Sequence, residues 1–453
     1  MKVIKFGGSS LADAVQIKKV CAIILSDPER RLVVVSAPGK RNSGDDKVTD
    51  LLIALAKAAL AGEDTGELVA KVTGRFSSIA SDLGMSGGFA TEVENDILER
   101  LASSRSNRNR FMDLLKAAGE DNSAKLVAAY LRSIGQNAEY INPRDAGLVL
   151  SDEFGNAQVL PKSYNKLARL ARKESIMIFP GFFGYSETGE VVTFSRGGSD
   201  VTGAILAAAV NAEVYENFTD VDSVFAADPR IVENPTPIPM FSYEEMRELS
   251  YAGFNVLHEE ALAPVYHKGI TVNIKNTNNP DSPGTLIVPA SSLTKEHKKY
   301  KVVGIAADKG FMTIHVEKYM MNREIGFGRR LLQILEDEGI SYEHTPSGID
   351  SISVIIREKY YNEEVFDRII KTIYSELSVD NVKTDFDQAI VMVVGNGMTH
   401  SIGTLATATK ALADANININ MINQGSSEVS IMFGIDAEDA RSSVKALYNA
   451  FFN

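Results

Sequence analysis

Residues 193–209 read TFSRGGSDVTGAILAAA, and this stretch contains the repeating unit of the predicted fold. The β-branched run 191–194 predicts a short strand, Arg-Gly-Gly-Ser-Asp predicts a turn, and the apolar residues that follow predict a helix. Two interpretations of the turn stay open on this stretch alone. It is a tight turn with Ser199 or Asp200 as the helix N-cap, or it is an anion site in which backbone N–H groups and the helix dipole bind phosphate or carboxylate.

The same alternation of strand and helix extends outward from residue 1 to about residue 290. Strands are predicted at VIKF, RLVVVSA, IMIFPGF, VVTF, EVYENFT and TVNIKNT, and helices at ADAVQIKKVCAIIL, DLLIALAKAAL and TGAILAAAV. Near-continuous apolar strands that alternate with helices are typical of a mostly parallel sheet covered by helices on both faces. The sequence therefore predicts one large α/β domain in this part of the chain.

The last 150 residues contain an internal repeat, which follows a charged stretch at 291–301. Identical residues are separated by 77 positions at Met321/Met398, Gly326/Gly403, Leu335/Leu412, Asp337/Asp414, Ile340/Ile417, Gly348/Gly425 and Ser353/Ser430. Each copy has the pattern strand, helix, strand, strand, helix, which is typical of a ferredoxin-like βαββαβ unit. Two such copies beside an α/β body suggest a regulatory attachment.

Composition excludes several classes of protein. A length of 453 residues indicates about three domains, and the net charge of −12 argues against nucleic acid and anionic membranes as partners. The single cysteine, Cys21, lies in an apolar run, so a disulfide within the chain is excluded and a reducing compartment is favoured. No signal peptide or membrane span is predicted, and we expect a soluble cytoplasmic protein.

Two further segments are candidates for ligand binding. A short strand ends at Lys5, and Gly7-Gly8-Ser9-Ser10 is predicted to open the first helix, where glycines would let phosphate approach the backbone. The spacing differs from that of a P-loop, so a strand-to-helix turn is the alternative. The second segment, NFTDVDSVFAADPR at 217–230, follows a predicted strand at the edge where open α/β sheets bind ligands, with a surface turn as its alternative.

Together these motifs resemble those of the aspartate kinases. The resemblance rests on KFGGSS, VVSA, VTDLL, Gly119-Glu120, SRGGSD, TDVDSVFAADPR and GFNVLH in this order, and it extends from residue 2 to residue 452. The C-terminal repeat is similar to the tandem ACT domains of that family. The resemblance implies an amino acid kinase fold at 1–293, a first ACT domain at 302–384 and a second at 385–453.

The resemblance implies transfer of the γ-phosphoryl group of MgATP to the β-carboxylate of L-aspartate. The product is 4-phospho-L-aspartate, made in the first step of lysine, threonine and methionine synthesis. A carboxylate with a pKa near 4 is already ionised, so the reaction needs no general base. The scattered histidines agree with this expectation, and Mg²⁺ is expected to arrive with ATP rather than at a metal site of the protein.

The family's motifs also imply roles for individual residues. Lys5 stabilises charge on the transferred phosphoryl group, and Asp200 orients Lys5 and the substrate while capping the helix. Arg196 binds the aspartate α-carboxylate and Glu120 binds its ammonium group. The remaining aspartate-site residues are Ser36, Thr49, Gly197, Gly198 and Ser199. The ATP-site residues are Lys5, Gly7, Gly8, Ser9, Thr219, Asp220, Phe225, Asp228, Arg230 and Asn255. Phe225 and Asn255 depart from the tyrosine and lysine that many relatives have.

The resemblance further implies an amino-acid effector, usually lysine and sometimes threonine, bound where ACT domains form a homodimer. That homodimer could pair further into a tetramer. The expected effector residues lie in MNREIGFG and in the strands that follow it: Met321, Glu324, Gly326, Phe327, Gly328, Tyr342, Glu343, Asp350 and Ser351.

Two alternatives compete with this interpretation. The chain could be another amino acid kinase, one that acts on glutamate, acetylglutamate, carbamate or uridylate, although the 196–200 motif and the ACT repeats disfavour this. It could also be an amino-acid sensor that has lost catalysis, for which the asparagine at 255 is the one argument.

Overall fold

The computed structural model describes residues 1–85, 87–195, 197–254, 261–294, 297, 300–399, 401–425, 427 and 429–453. They divide into two compact units. The first comprises Met1–Val224, Ile238–Tyr243 and Asn255–Leu293, and the second comprises Phe225–Pro237, Glu244–Phe254 and Thr294–Asn453. Within the described ranges, no helix is both long enough and apolar enough to cross a membrane.

The secondary structure up to residue 293 alternates as the sequence predicts. The strands are β1 (Lys2–Phe6), β2 (Arg30–Val35), β3 (Ala138–Tyr140), β4 (Ile176–Pro180), β5 (Phe183–Tyr185), β6 (Val191–Thr193), β7 (Val214–Thr219), β8 (Val224–Phe225), β9 (Pro237–Ile238), β10 (Met240–Ser242), β11 (Thr271–Asn276) and β12 (Thr285–Val288). The helices are α1 (Ala14–Leu25), α2 (Val48–Ala61), α3 (Gly66–Asp82), α4 (Gly88–Leu101), α5 (Arg108–Lys116), α6 (Ala118–Ser133), α7 (Pro143–Ala146), α8 (Lys162–Leu167), α9 (Gly198–Val210), α10 (Tyr243–Tyr251) and α11 (Leu262–Tyr266).

Eight of these strands form one sheet in the order β10-β12-β11-β7-β1-β2-β4-β3. All neighbouring pairs are parallel except β11 with β12. The central strands are fully buried along their apolar runs, including Leu32 to Val35, because helices cover both faces. The predicted mostly parallel α/β fold is confirmed. The predicted strand VVTF corresponds to β6, which pairs with β5 in a separate two-stranded ribbon.

The C-terminal repeat forms a five-stranded antiparallel sheet in the order β14-β13-β15-β17-β16. Its strands are β13 (Gly304–Glu317), β14 (Ser351–Arg357), β15 (Asn381–Val394), β16 (Met421–Asn423) and β17 (Ser430–Asp436). Its helices are α12 (Phe327–Asp337), α13 (Glu363–Leu377), α14 (Thr404–Asp414) and α15 (Ala440–Phe452). In the first repeat, apolar residues of α12 and α13 pack on one face of β13 and β14.

Strands β13 and β15 each run through both repeats. The second half of β13 pairs with β14 in the first repeat, whereas its first half, 304–309, pairs with 389–394 at the end of β15. That end of β15 pairs in turn with β17 of the second repeat. The two repeats therefore share a continuous sheet, and the strand 304–309, which pairs with the second repeat, precedes the first repeat in the chain.

Candidate active site

The candidate residues of the first unit gather at the carboxyl edge of the eight-stranded sheet. The chain leaves β1 towards β2 on one side, and β7 lies on the other side, so β1 stands at a topological switch point. Open α/β sheets bind ligands at such a point. Backbone hydrogen bonds continue past the strand ends, from Gly7 N to Phe218 O (3.1 Å) and from Ser36 N to Phe6 O (3.2 Å).

Lys5, Asp200 and Asn217 form a buried polar network at this edge. Lys5 is 7% exposed, and its Nζ lies 2.5 Å from Asp200 Oδ1. Asn217 Nδ2 donates to the same carboxylate oxygen (2.8 Å), and Lys5 Nζ lies 3.3 Å from Asn217 Oδ1. The amide thus holds both charged groups, because its oxygen accepts from the amine while its nitrogen donates to the acid. These two contacts hold the Lys5 amine, and therefore its positive charge, in one position.

The start of α9 differs from the prediction. The N-cap is Gly197, in the left-handed region at φ 74°, and the helix begins at Gly198. Asp200 therefore lies inside the first turn, and the expectation that Asp200 or Ser199 caps the helix is wrong. The Asp200 carboxylate is occupied by Lys5 and Asn217 instead. Ser199 packs against Gly181, where an added Cβ would lie only 2.5 Å from Ser199 Oγ.

The glycine turn after β1 is closely packed against the segment that follows β2. Gly39 N donates to Gly8 O (2.8 Å). A Cβ added to Gly39 would lie 2.6 Å from the carbonyl carbon of Gly8, and one added to Gly8 would lie 2.9 Å from Ala37 O. Only glycine allows this approach. The turn continues as a single 3-10 turn, Gly8–Leu11, and α1 begins later with Asp13 as its N-cap, so the expectation that GGSS opens the first helix is wrong.

Glu120 is a buried carboxylate with one unsatisfied oxygen. It lies in the first turn of α6 and is 5% exposed. The carboxyl accepts hydrogen bonds from the backbone of Ala37 and from its own backbone, but Oε2 has no hydrogen-bond partner among the described residues. Burial raises the pKa of Glu120 to about 8, against the smaller opposing effects of these hydrogen bonds and of the Lys116 charge. A buried acceptor of this kind is suited to a cationic ligand.

The remaining candidates of the aspartate and nucleotide sites are distributed between the two units. In the first unit Thr49 lies in the first turn of α2, and Thr219 ends β7 with its hydroxyl 3.2 Å from an oxygen of Asp220. In the second unit, Asp228 and Arg230 form an ion pair with a shortest distance of 2.6 Å. Phe225, Ser9 and Ser36 are at least partly exposed. Arg196 and Asn255 lie outside the described residues.

The effector candidates fall into two groups in the second unit. Met320 N donates to Asp350 Oδ1 (2.8 Å), which joins the loop of Met321, Glu324, Gly326, Phe327 and Gly328 to the Asp350–Ser351 turn. In this group Glu324 pairs with Lys318 (2.5 Å) and with Arg330, and these hydrogen bonds lower the pKa of its carboxyl.

Glu343 belongs to a different cluster. Tyr251 Oη donates to Glu343 Oε2 (2.5 Å), and Arg357 Nε lies 3.4 Å from Glu343 Oε1. Tyr342 beside it is exposed. The motif pattern groups Glu343 with Glu324 as effector residues, whereas in the structure the Glu343 carboxylate contacts Tyr251 and Arg357.

Sequence reasoning missed two residues at the candidate site, one beside Lys5 and one near Glu120. Asn217 lies in a strand predicted from its apolar neighbours, although an amide within EVYENFT is the kind of buried polar residue that signals a site. Lys116 carries no motif that would distinguish it. Its Nζ lies 2.7 Å from the buried Asp113 and 3.1 Å from Thr193 Oγ1, and its charge acts on Glu120.

Comparisons with known proteins agree on one family. A model of the amino acid kinase family matches residues 1–276, and an ACT domain model matches residues 391–451. Aspartokinase 3 of Bacillus subtilis (strain 168) is 52% identical over 452 residues, which cover 100% of this chain and 99% of that protein.

Solved structures give the same result. The aspartate kinase of Clostridium acetobutylicum superposes with a TM-score of 0.84 at 40% identity, with both chains fully covered. Aspartokinase III of E. coli in complex with aspartate and ADP superposes with a TM-score of 0.82 at 25% identity, again over both whole chains. A second structure of that enzyme, with lysine and aspartate, gives 0.73 at 25% identity and the same coverage.

Proposed function

The chain belongs to the aspartate kinases, and we propose that it transfers the γ-phosphoryl group of MgATP to the β-carboxylate of L-aspartate. The product is 4-phospho-L-aspartate. One observation carries this proposal: a buried lysine lies beside the glycine turn, and a buried carboxylate with an unsatisfied oxygen lies at Ala37, which packs against that turn. The first group suits a phosphoryl group and the second suits the ammonium group of an amino acid.

Lys5 supplies the positive charge for the transferred phosphoryl group. Its distance of 2.5 Å to Asp200 and its hydrogen bond to Asn217 fix the amine before the substrate arrives. Charge that needs no reorganisation stabilises the transition state more than charge that must first be oriented. The backbone of Gly7 and Gly8 approaches the phosphates beside it, where side chains would block them.

Glu120 binds the substrate ammonium through its unsatisfied oxygen. An ammonium group would satisfy Oε2 and would favour the ionised carboxylate, which burial alone disfavours. Arg196 binds the α-carboxylate, a role that the family resemblance implies for its bidentate guanidinium. Ser36, Thr49 and Ser199 complete the pocket. The β-carboxylate is then left to face the phosphoryl group, already ionised and needing no base.

The nucleotide is proposed to lie along the 219–230 segment, with Mg²⁺ bound to its phosphates. Thr219, Asp220, Phe225, Asp228 and Arg230 are the residues implied by the resemblance. The E. coli relative binds ADP together with aspartate, which supports ATP as the donor. The product would enter the synthesis of lysine, threonine and methionine.

Lysine is proposed as the inhibitor. The E. coli relative binds lysine in its T-state structure. In this chain Glu324 is paired with Lys318 at 2.5 Å, so a lysine effector would offer the same ammonium group that Glu324 already accepts. A homodimer formed through the ACT repeats, able to pair further into a tetramer, is proposed as the regulated form.

An aspartyl-hydroxamate assay tests the proposal. Purified protein is incubated with MgATP, L-aspartate and hydroxylamine, and L-glutamate replaces aspartate in the control. Hydroxamate that depends on both ATP and aspartate supports acyl-phosphate formation, and its loss on adding lysine or threonine identifies the effector. Hydroxamate formed with glutamate but not with aspartate would contradict the proposed substrate.

A further inference from the structure

A buried arginine lies behind the segment that joins the two halves of the proposed site. Arg75, on α3, is only 5% exposed. Its NH1 group donates to Gly39 O (2.8 Å), and its NH2 group donates to Asp46 O (3.1 Å) and to both carboxylate oxygens of Asp45 (2.6 Å each). One planar guanidinium therefore binds the two ends of the 39–46 loop and the acid between them.

The segment 36–39, which enters this loop, contacts both proposed binding groups. Gly39 N donates to Gly8 O at 2.8 Å, on the side of the phosphates. Ala37 donates its backbone N–H to the Glu120 carboxyl, on the side of the substrate ammonium. A Cβ added to Gly119 would lie 2.8 Å from the Cβ of Ala37, so this segment and α6 are in contact without spare room.

We propose that Arg75 is a positioning residue for the kinase reaction, which sets the distance between the phosphate turn and the ammonium site by holding Gly39. This inference rests on the proposed function. The hydrogen bonds of Arg75 reach the 39–46 loop rather than Lys5 or Glu120, so it acts through the backbone of Gly39. A displacement of about 1 Å between reacting groups can lower a rate by about a hundredfold.

The chain contains a matched control for this proposal. Arg41 also binds Asp45, with Nε at 2.9 Å and NH2 at 3.0 Å, and these side-chain hydrogen bonds go to the carboxylate rather than to a backbone carbonyl of the loop. Its side chain is 45% exposed, compared with 4% for Arg75. Removing Arg41 therefore removes one arginine–Asp45 pair and leaves the bond to Gly39 in place.

The experiment compares Arg75→Lys, Arg75→Ala and Arg41→Ala in the hydroxamate assay, with kcat and both KM values measured. Lysine retains the charge opposite Asp45 but cannot donate in two directions from one plane. We expect Arg75→Lys to fold, to lose about tenfold to a hundredfold in kcat, and to change KM for ATP and aspartate less. Methylguanidinium at millimolar concentration should restore part of the kcat of Arg75→Ala, and Arg41→Ala should keep the parent kcat.

Amide hydrogen exchange supplies a reading that is independent of activity. Peptides that cover 36–39 should exchange faster in Arg75→Lys than in Arg41→Ala, because only the first change frees Gly39. A folded Arg75→Lys protein with parent kcat and parent exchange would overturn the proposal, as would an equal loss of kcat in Arg41→Ala. If the parent protein forms no hydroxamate, the proposed function fails, and the exchange comparison still decides whether Arg75 positions the segment.

Discussion

Replacing Glu120 with glutamine tests the energetics of the buried carboxyl and its proposed ligand together. Burial raises the pKa of this group to about 8, from an ordinary value of 4.5. Between these two values the native state retains a proton that the unfolded state has released. Stability therefore falls as pH rises through this window, whereas a glutamine at this position does not titrate.

The size of the effect follows from the two pKa values. At about 1.36 kcal/mol per pKa unit, the carboxyl disfavours folding by about 5 kcal/mol above pH 8 and by about 3 kcal/mol near pH 7. We expect Glu120→Gln and the parent protein to be equally stable near pH 4, and the variant to be more stable by these amounts at higher pH. Aspartate binding should weaken by about tenfold to a hundredfold, the range for a hydrogen bond to a charged group.

Urea unfolding of both proteins at about pH 4, 7 and 9 measures the difference in stability. Calorimetric titration with aspartate and with ATP measures the change in affinity for each ligand. ATP binding serves as the control, because Glu120 is not expected to contact the nucleotide. Stability curves that stay parallel across the pH range would show that the folded carboxyl titrates normally and would refute the reasoning from burial. Unchanged aspartate affinity would remove Glu120 from the site.

Three other changes have defined outcomes. Lys5→Met should lower turnover in the hydroxamate assay by about a hundredfold to a thousandfold; a loss below tenfold would argue against its role. Glu324→Ala should relieve inhibition by lysine with uninhibited turnover unchanged, and persistent inhibition would place the effector elsewhere. Gly203→Ala should lower the free energy of unfolding by about 1–3 kcal/mol, because the new Cβ would lie 2.5 Å from Tyr215 Oη; Gly74→Ala, with nothing within 4 Å, is the control and should not destabilise.

The parts of the fold that depend on local pattern could be predicted from the sequence. Apolar runs such as RLVVV and IMIFP identified two central strands, because a strand buried on both faces is apolar at successive positions. The 77-residue offset identified the repeat for a similar reason, since both copies keep the same core positions. No local sequence pattern predicts the pairing of 304–309 with 389–394, because it joins residues about 85 positions apart.

For the candidate site, the sequence supplied candidate residues but not the contacts between them. Motif resemblance selected Lys5, Glu120 and Asp200 as candidates, but it could not supply the contacts that these residues make in the fold. Arg75 looks in the sequence like an ordinary charge on an amphipathic helix, and only its burial and its bond to Gly39 distinguish it. The capping role expected of Asp200 was wrong for a related reason: Lys5 and Asn217, both distant in sequence, compete for the same carboxylate.

The shared strands of the C-terminal sheet limit how this protein can be divided. A cut between α13 and β15, at 378–380, would leave the second repeat without the strand 304–309 that pairs with its end of β15. A cut before 304 would release both repeats together. The C-terminal third of the chain is therefore nested rather than tandem: the first repeat lies in the chain between strand 304–309 and the rest of the second repeat, and no single break yields two whole copies. Any perturbation that peels β13 from β15 must open both modules at once.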